Sequence, residues 1–266
     1  MKLCMMSSVL GFDTPLEVVE TAVFCDMEAV DWIFPADRAI DGGFLRKITV
    51  DAGLQIAAYT SLFGAFIKGE ADWQDKFKAE LDKALILGAP VMMIPPVASP
   101  QQHSLAEDRR AWKKFYSWAA VQAASQGVKL TLESTGMLNS PVTLASEAAE
   151  ILNEVPELGV TLDYGNMATG GDTAEDIRQI SDRICHIHMK DWHISAEPFA
   201  GALEKRNGSY FGNALIGTGD LDLKRSWEVL PPENRECFVN LETADFSGRM
   251  TVKEALKQVS DTLRSW

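Results

Sequence analysis

The chain has 266 residues, of which 46% are hydrophobic and 24% charged, as in an ordinary globular protein. A formal net charge of −13 disfavours nucleic acids and anionic membrane surfaces as partners, and the apolar runs fall short of the roughly 20 residues of a membrane span. Four cysteines without a CxxC pair favour reduced thiols. We therefore expect a cytoplasmic protein without nucleic-acid or membrane partners, and the composition leaves a homo-oligomer open.

Short apolar runs alternate with longer helical patterns eight times along the chain. The predicted strands occupy residues 2–8, 27–34, 54–60, 90–96, 128–134, 159–165, 184–190 and 236–242. The predicted helices occupy about 15–25, 42–52, 72–87, 105–126, 141–155, 173–182, 221–230 and 252–266. Ser140 and Pro141 predict the start of the fifth helix, because Ser is a good N-cap and Pro suits the first helical position. Asp220 is the predicted N-cap of the seventh helix.

Eight strand-helix units of roughly 30 residues each predict a parallel sheet with helices outside it. Continuous runs such as VMMI and KLTLE are typical of strands that are covered on both faces. No linker rich in Gly, Ser or Pro divides the chain. We therefore predict an α/β fold, a single (β/α)8 TIM barrel domain over residues 1–266. A doubly wound open sheet is the alternative, but it would more often show a glycine-rich loop after the first strand, and none occurs.

Polar side chains stand at the ends of four consecutive predicted strands, where barrels of this kind place their functional residues. They are Glu133, Asp163, His188 and Glu242. An ionisable group at the end of a core-facing strand is costly unless it is paired or bound to a metal. Because strand side chains alternate between two faces, all four are able to meet at one arc of the barrel mouth.

An oxygen-rich set with one imidazole suits a divalent cation. The set predicts one such ion, with Mn²⁺, Mg²⁺ or Co²⁺ favoured and Zn²⁺ also acceptable. The competing interpretation is a hydrogen-bonded polar core without metal. His186 shares a face with His188 but lies one layer deeper, so we expect it to be a packed core histidine rather than a ligand.

The motifs GVKLTLES, LDYGN, HIHMKD, GTGDLDL and VNLE occur in this order along the chain. In order and spacing they resemble the xylose-isomerase-like TIM barrels, and within them the sugar phosphate isomerase/epimerase proteins. The resemblance spans most of the chain and is densest from about residue 113 to residue 242. It implies that Glu133, Asp163, His188 and Glu242 ligate one divalent metal.

The resemblance also implies a chemistry, the isomerisation or epimerisation of a small sugar or sugar phosphate. The metal would hold a carbonyl and a neighbouring hydroxyl and stabilise an enediolate. Glu133 and Glu242 would remove and return the proton. Two alternatives stay open: a dehydratase of the same barrel family, acting on a keto-cyclitol or dehydroshikimate-like compound, and a non-catalytic sugar-binding barrel.

The sequence departs from the ketose 3-epimerases of the tagatose/psicose type at two positions. Those proteins usually carry a His three residues after the Asp, where this chain has Asn166, and a second Glu six residues after the first, where it has Asn139. Membership of that subgroup is therefore doubtful.

Four further residues are candidate substrate contacts. Asn166 follows the sixth strand, and Lys190 lies on the His188 face, slightly nearer the mouth. His193 and Arg206 belong to the long segment after the seventh strand. The competing interpretations are a salt bridge for Lys190 and an exposed surface position for Arg206.

Overall fold

Eight parallel strands close into a barrel in the computed structural model, which describes residues 1–101, 103–244 and 247–266. In spatial order the wall is built from β1 (Lys2–Met6), β2 (Ala29–Pro35), β3 (Gln55–Leu62), β4 (Val91–Met93), β5 (Lys129–Glu133), β6 (Gly159–Asp163), β7 (Ile184–Met189) and β11 (Phe238–Leu241), which pairs with β1 again. The predicted TIM barrel and all eight of its strands are confirmed.

The helices are α1 (Pro15–Phe24), α2 (Gly42–Asp51), α3 (Trp73–Leu87), α4 (Leu105–Ser125), α5 (Ala145–Leu152), α6 (Tyr164–Ala168), α7 (Leu223–Glu228) and α8 (Val252–Leu263). Four 3₁₀ turns lie at Ser7–Leu10, Ala174–Gln179, Ser181–Arg183 and Pro232–Glu236. In the described part of the chain, none of the helices is both long and apolar enough to cross a membrane.

Local signals fix the ends of several helices. Ser104 and Glu107 form a capping box at the start of α4, because each side chain bonds the other's backbone N–H. Gly88 ends α3 in the left-handed region, with φ of +80°, where a residue with a side chain would be strained.

The register of the wall sets the height of the polar strand ends. Asp163 pairs with His188 across β6 and β7, and His188 pairs with Asn240 across β7 and β11. Glu133 pairs with Thr161, two residues before Asp163. The arc from β5 to β11 therefore carries polar side chains at two neighbouring levels of the mouth.

Three predicted helix boundaries are wrong. The segment 173–182 forms two 3₁₀ turns instead of one helix. α5 begins at Ala145, not at residue 141, because the Ser140 hydroxyl organises a turn by donating to the Val142 carbonyl. Asp222 rather than Asp220 caps α7.

The segment after β7 holds structure that the sequence did not predict. It forms a small antiparallel sheet of β8 (Asp191–Ser195), β10 (Tyr210–Ala214) and β9 (Leu203–Glu204), in that order. The GTGD stretch then folds around Asp191, whose carboxylate accepts the backbone N–H groups of Gly217 and Gly219 at 2.9 Å. A Cβ on Gly219 would lie 2.3 Å from this carboxylate, so only glycine fits there.

Candidate metal centre

Four polar side chains meet at the mouth of the arc formed by β5, β6, β7 and β11. Glu133 and Asp163 are the last residues of β5 and β6, His188 is the penultimate residue of β7, and Glu242 follows β11 directly. Each offers one ligand atom, and these four atoms all lie within 4.8 Å of one another. Asp163, His188 and Glu133 are buried, whereas Glu242 is partly exposed. The structure therefore brings together the four predicted metal ligands.

Two of these atoms lack the hydrogen bonds that buried polar atoms normally make. Glu133 Oε1 and His188 Nδ1 form an ion pair at 2.7 Å that lacks hydrogen-bond geometry, and neither atom has a further hydrogen-bond partner among the described residues. Buried polar atoms without a hydrogen bond are rare and need an explanation, such as an ion that both atoms bind. Three carboxylates and one imidazole are also a donor set that divalent cations accept. The residues present therefore fit a divalent metal ion.

Lys190 brings an ammonium group into this cluster. Its Nζ lies 2.6 Å from Glu242 Oε2 and 3.3 Å from Asp163 Oδ2. Burial alone would lower the pKa of Lys190, but the charges of Asp163 and Glu242 outweigh burial and raise it. Burial also raises the pKa of Asp163 to about 7, with Lys190 opposing and the neighbouring glutamates adding to the rise. The cluster therefore places three carboxyl groups around one ammonium.

Asp31 on β2 holds the far side of His188. Its Oδ2 lies 3.0 Å from His188 Nε2, 2.9 Å from His186 Nε2 and 2.9 Å from Asn240 Nδ2. Burial opposes ionisation of Asp31, but the bonds from both histidines outweigh it and hold its pKa well below the usual range. A carboxylate accepts only, so Nε2 of His188 donates its hydrogen to Asp31. Asp31 thus fixes the ring so that Nδ1 of His188 faces Glu133.

Asn166 supports Asp163 rather than standing free in the mouth. Its backbone N–H donates to Asp163 Oδ1 at 2.9 Å, and its side-chain amide lies 3.1 Å from Asp163 Oδ2 and 2.9 Å from the Ser134 carbonyl. Because Asp163 is the N-cap of α6, these bonds fix the carboxylate. Asn166 is buried at the site, and its contact with substrate stays a prediction.

The two other predicted substrate contacts lie elsewhere. His193 is about half exposed on β8, with Nδ1 3.9 Å from Asp220. Arg206 makes a bidentate pair with Glu147 of α5, at 2.7 and 2.9 Å, so its guanidinium is engaged away from the four ligands. Both roles stay predictions. His186 is buried against Asp31.

Asp31 and Lys205 also lie at the site, and neither was predicted from the sequence. Asp31 was detectable, because it is a lone charge inside the apolar run AVDWIF of a predicted strand. Lys205 was not, because it belongs to the hairpin between β9 and β10, which no pattern predicted. Its Nζ is buried beside the site, 2.7 Å from the Gly136 carbonyl.

The chain shares its fold with several solved structures. An IOLI protein with a bound zinc atom has a TM-score of 0.79 at 19% identity, covering 100% of this chain and 97% of that one. A D-psicose 3-epimerase has 0.76 at 15% identity (100% and 98% covered), and the probable 3-DHS dehydratase AsbF from Bacillus anthracis has 0.72 at 15% (99% of each). At such identities the likeness shows the fold alone.

A search among curated proteins finds no match. A family model does match, over residues 39–266, which is most of the chain, and its description is xylose isomerase-like TIM barrel. The closed eight-stranded barrel agrees with this match. The chain belongs to the xylose isomerase-like TIM barrel family.

Proposed function

We propose that the chain is a divalent-metal-dependent isomerase or epimerase of a small sugar or sugar phosphate. The observation that carries this proposal is the meeting of four ligand atoms, three of them carboxylate oxygens, within 4.8 Å at the barrel mouth. Three carboxylates so close together repel one another, and a bound cation would relieve that repulsion. Relatives of this fold include a zinc-bound protein and an epimerase, which supports the same chemistry.

We assign one divalent ion to Glu133, Asp163, His188 and Glu242. Hard oxygen ligands outnumber the single imidazole, which favours Mn²⁺, Mg²⁺ or Co²⁺, while Zn²⁺ would also accept the set. When bound, the ion would act as a Lewis acid for the carbonyl oxygen of a keto sugar. Asp31 and Asn166 hold His188 and Asp163 in place before any ion arrives.

Glu133 and Glu242 carry the proton transfer in this proposal. They project from β5 and β11, the two ends of the four-strand arc, and so face a bound sugar from two sides. One carboxylate removes the proton from the carbon beside the carbonyl, which leaves an enediolate of the sugar, and the other returns a proton. Return to the same carbon from the other face gives an epimer, and return to the neighbouring carbon interconverts aldose and ketose.

Lys190 is the third functional group. Its ammonium lies between Glu242 and Asp163 and is close to the partly exposed end of the cluster. There it orients the Glu242 carboxylate and is able to donate a hydrogen bond to a substrate oxygen. Trp192 covers the same ammonium, with its ring centre 5.8 Å from Nζ, and excludes water from this side.

The test combines metal analysis with solvent exchange. Elemental analysis of the purified protein should find about one divalent ion per chain. The metal-loaded protein is then incubated with a panel of ketoses in D₂O, and mass spectrometry and NMR follow deuterium uptake. Deuterium uptake without loss of water supports an isomerase or epimerase. Loss of water would instead show a dehydratase, and binding without uptake a sugar-binding barrel.

Two variants make this test specific. Glu242→Gln should abolish deuterium uptake, because the amide neither removes nor returns the proton. Glu20→Gln, on the exposed face of α1, removes the same charge outside the site and should exchange at the wild-type rate. Full exchange in Glu242→Gln would overturn the assigned roles.

A further inference from the structure

A second buried lysine lies beside the candidate metal centre. Lys205 is 8% exposed, and its Nζ donates to the Gly136 carbonyl at 2.7 Å. Gly136 packs on Asn166, since a Cβ at Gly136 would lie 2.9 Å from Asn166 Oδ1. Asn166 in turn bonds the ligand Asp163. Lys205 is therefore one side chain away from the metal centre.

The Trp192 indole connects the two lysines of the mouth. Its ring centre lies 5.3 Å from Lys205 Nζ and 5.8 Å from Lys190 Nζ. The two ammonium groups are therefore no farther apart than the sum of these distances. Lys190 contacts the candidate ligands Asp163 and Glu242, whereas Lys205 contacts the Gly136 carbonyl.

The hairpin that carries Lys205 is anchored to the barrel by two contacts. Asn207 donates its backbone N–H to the Thr169 carbonyl at 3.1 Å, and Arg206 is bound to Glu147 through both guanidinium nitrogens. Arg206 is therefore held by Glu147, and the side chain of its neighbour Lys205 is buried.

The charge of Lys205 is not balanced by the protein. Within the described residues its only hydrogen-bond partner is one neutral carbonyl, and no carboxylate pairs with it. Burial, with a smaller contribution from Lys190, lowers the pKa of Lys205. A buried cation without a counter-charge is costly, and chains keep such groups where a ligand supplies the missing charge.

We propose that Lys205 binds an anionic group of the substrate, a phosphate or a carboxylate at the end of the sugar remote from the metal centre. The inference rests on the proposed function and narrows its substrate class from sugars in general to negatively charged keto sugars. An ammonium is a compact point charge that suits either anion. Lys205 is then a specificity-determining residue, and proton transfer stays with the glutamates.

The first test needs no metal and no turnover, so it is independent of the proposed function. Inorganic phosphate is titrated calorimetrically in EDTA into wild type, Lys205→Met, Lys205→Arg and Lys129→Met. Lys129 lies at the opposite end of β5, so its loss serves as a matched control. Wild type, Lys205→Arg and Lys129→Met should bind phosphate, and Lys205→Met should bind at least about 10-fold more weakly. Equal binding by Lys205→Met would overturn the proposal.

The second test distinguishes the two anions. Metal-loaded protein is titrated with D-fructose, D-fructose 6-phosphate and D-fructuronate. Lys205→Met should weaken the binding of the phosphate or the carboxylate compound at least about 10-fold and leave the binding of D-fructose unchanged. The compound whose binding weakens carries the anion that Lys205 binds. Equal weakening for all three compounds would show a structural role instead.

Thermal unfolding separates a binding role from a packing role. Lys205→Met removes an unbalanced buried charge, so its Tm without ligand should equal or exceed that of wild type. A Tm lower by several degrees would mean that the Gly136 bond serves the fold.

Discussion

Two arcs of the barrel wall bury ionisable side chains, but only one of them completes their hydrogen bonds. In the arc of β2, β3 and α3, Glu80 is 2% exposed and accepts from Tyr59 and Ser61 at 2.7 Å and from Lys83 at 2.6 Å. In the arc of β5, β6, β7 and β11, Glu133 is 7% exposed, yet its Oε1 has no hydrogen-bond partner among the described residues.

The difference separates a carboxylate whose hydrogen bonds the fold completes from one that we assign to a metal ion. Both glutamates are buried, so burial alone does not distinguish them. Glu80 has three side-chain donors inside the protein. Glu133 Oε1 has only the ion pair with His188, and the proposed metal ion would complete it. Asp31 connects the two arcs, because it belongs to β2 and yet holds His188 of β7.

The largest effect that this comparison predicts is on turnover. Glu133→Gln should lower the rate of deuterium uptake about 10³-fold at saturating metal, because the amide is not a proton acceptor. The thermal stability of the metal-free protein should fall little, since the ion pair with His188 is lost but no hydrogen bond of Glu133 Oε1 is. Uptake within tenfold of wild type, measured with the same ketose, would remove Glu133 from the mechanism.

A smaller effect is expected on metal affinity at Asp31. Asp31→Asn keeps an acceptor oxygen but removes the negative charge that the N–H groups of His186 and His188 face, so His188 is held less firmly. Affinity for Mn²⁺, measured by calorimetry, should fall about 10- to 100-fold.

The absorption spectrum of the Co²⁺-loaded protein gives a second readout for Asp31→Asn, because it reports ligand geometry and should shift. Asp82→Asn, on the exposed face of α3, is the control and should leave affinity and spectrum unchanged. Wild-type affinity in Asp31→Asn would show that the network serves packing alone.

The sequence predicted the barrel well because each strand-helix unit carries a local signal. A run such as KLTLE encodes both a buried strand and the face on which Glu133 lies. The four candidate ligands could be predicted as well, because barrel topology brings strand ends together whatever their distance along the chain.

The supporting residues could not be predicted with the same ease. Asp31 meets His188 across 157 residues, on a strand whose register with the others is known only once the barrel closes. Lys205 and Arg206 are adjacent in a turn, and which of them faces the pocket depends on the anchor that Glu147 gives to Arg206. The start of α5 differed for a similar reason, because Ser140 bonds a turn rather than a helix.

For Glu80, whose hydrogen bonds are made inside the protein, we expect a change in stability without a change in metal binding. Glu80→Gln should lower the free energy of unfolding by about 1–2 kcal/mol, since the amide cannot accept from Tyr59, Ser61 and Lys83 together. Urea unfolding measures this change. Metal affinity should stay at the wild-type value, and a loss of metal binding would contradict the separation of the two arcs.

The smallest predicted effect concerns Asp172, a half-buried carboxylate whose hydrogen bonding is intermediate between that of Glu80 and that of Glu133 Oε1. It accepts one bond, from the backbone N–H of Ala145 at 2.6 Å. Burial raises its pKa to about 6, with the Ala145 bond opposing and Asp176 and Glu147 adding to the rise. The folded state therefore binds this proton more tightly than the unfolded chain does, and the resulting stability is lost as the pH rises from about 4 through about 6.

Asp172→Asn keeps the acceptor and removes the ionisation. Above pH 7 it should be more stable than wild type by about 1 kcal/mol or less after solvent screening, a rise in Tm of about 2 °C. The difference should vanish below pH 4, where Asp172 is protonated in both states. A variant that is less stable at pH 7.5 would mean that the charge of Asp172 at the start of α5 outweighs its desolvation. Asp172 would then belong with Glu80, as a carboxylate that the fold has completed.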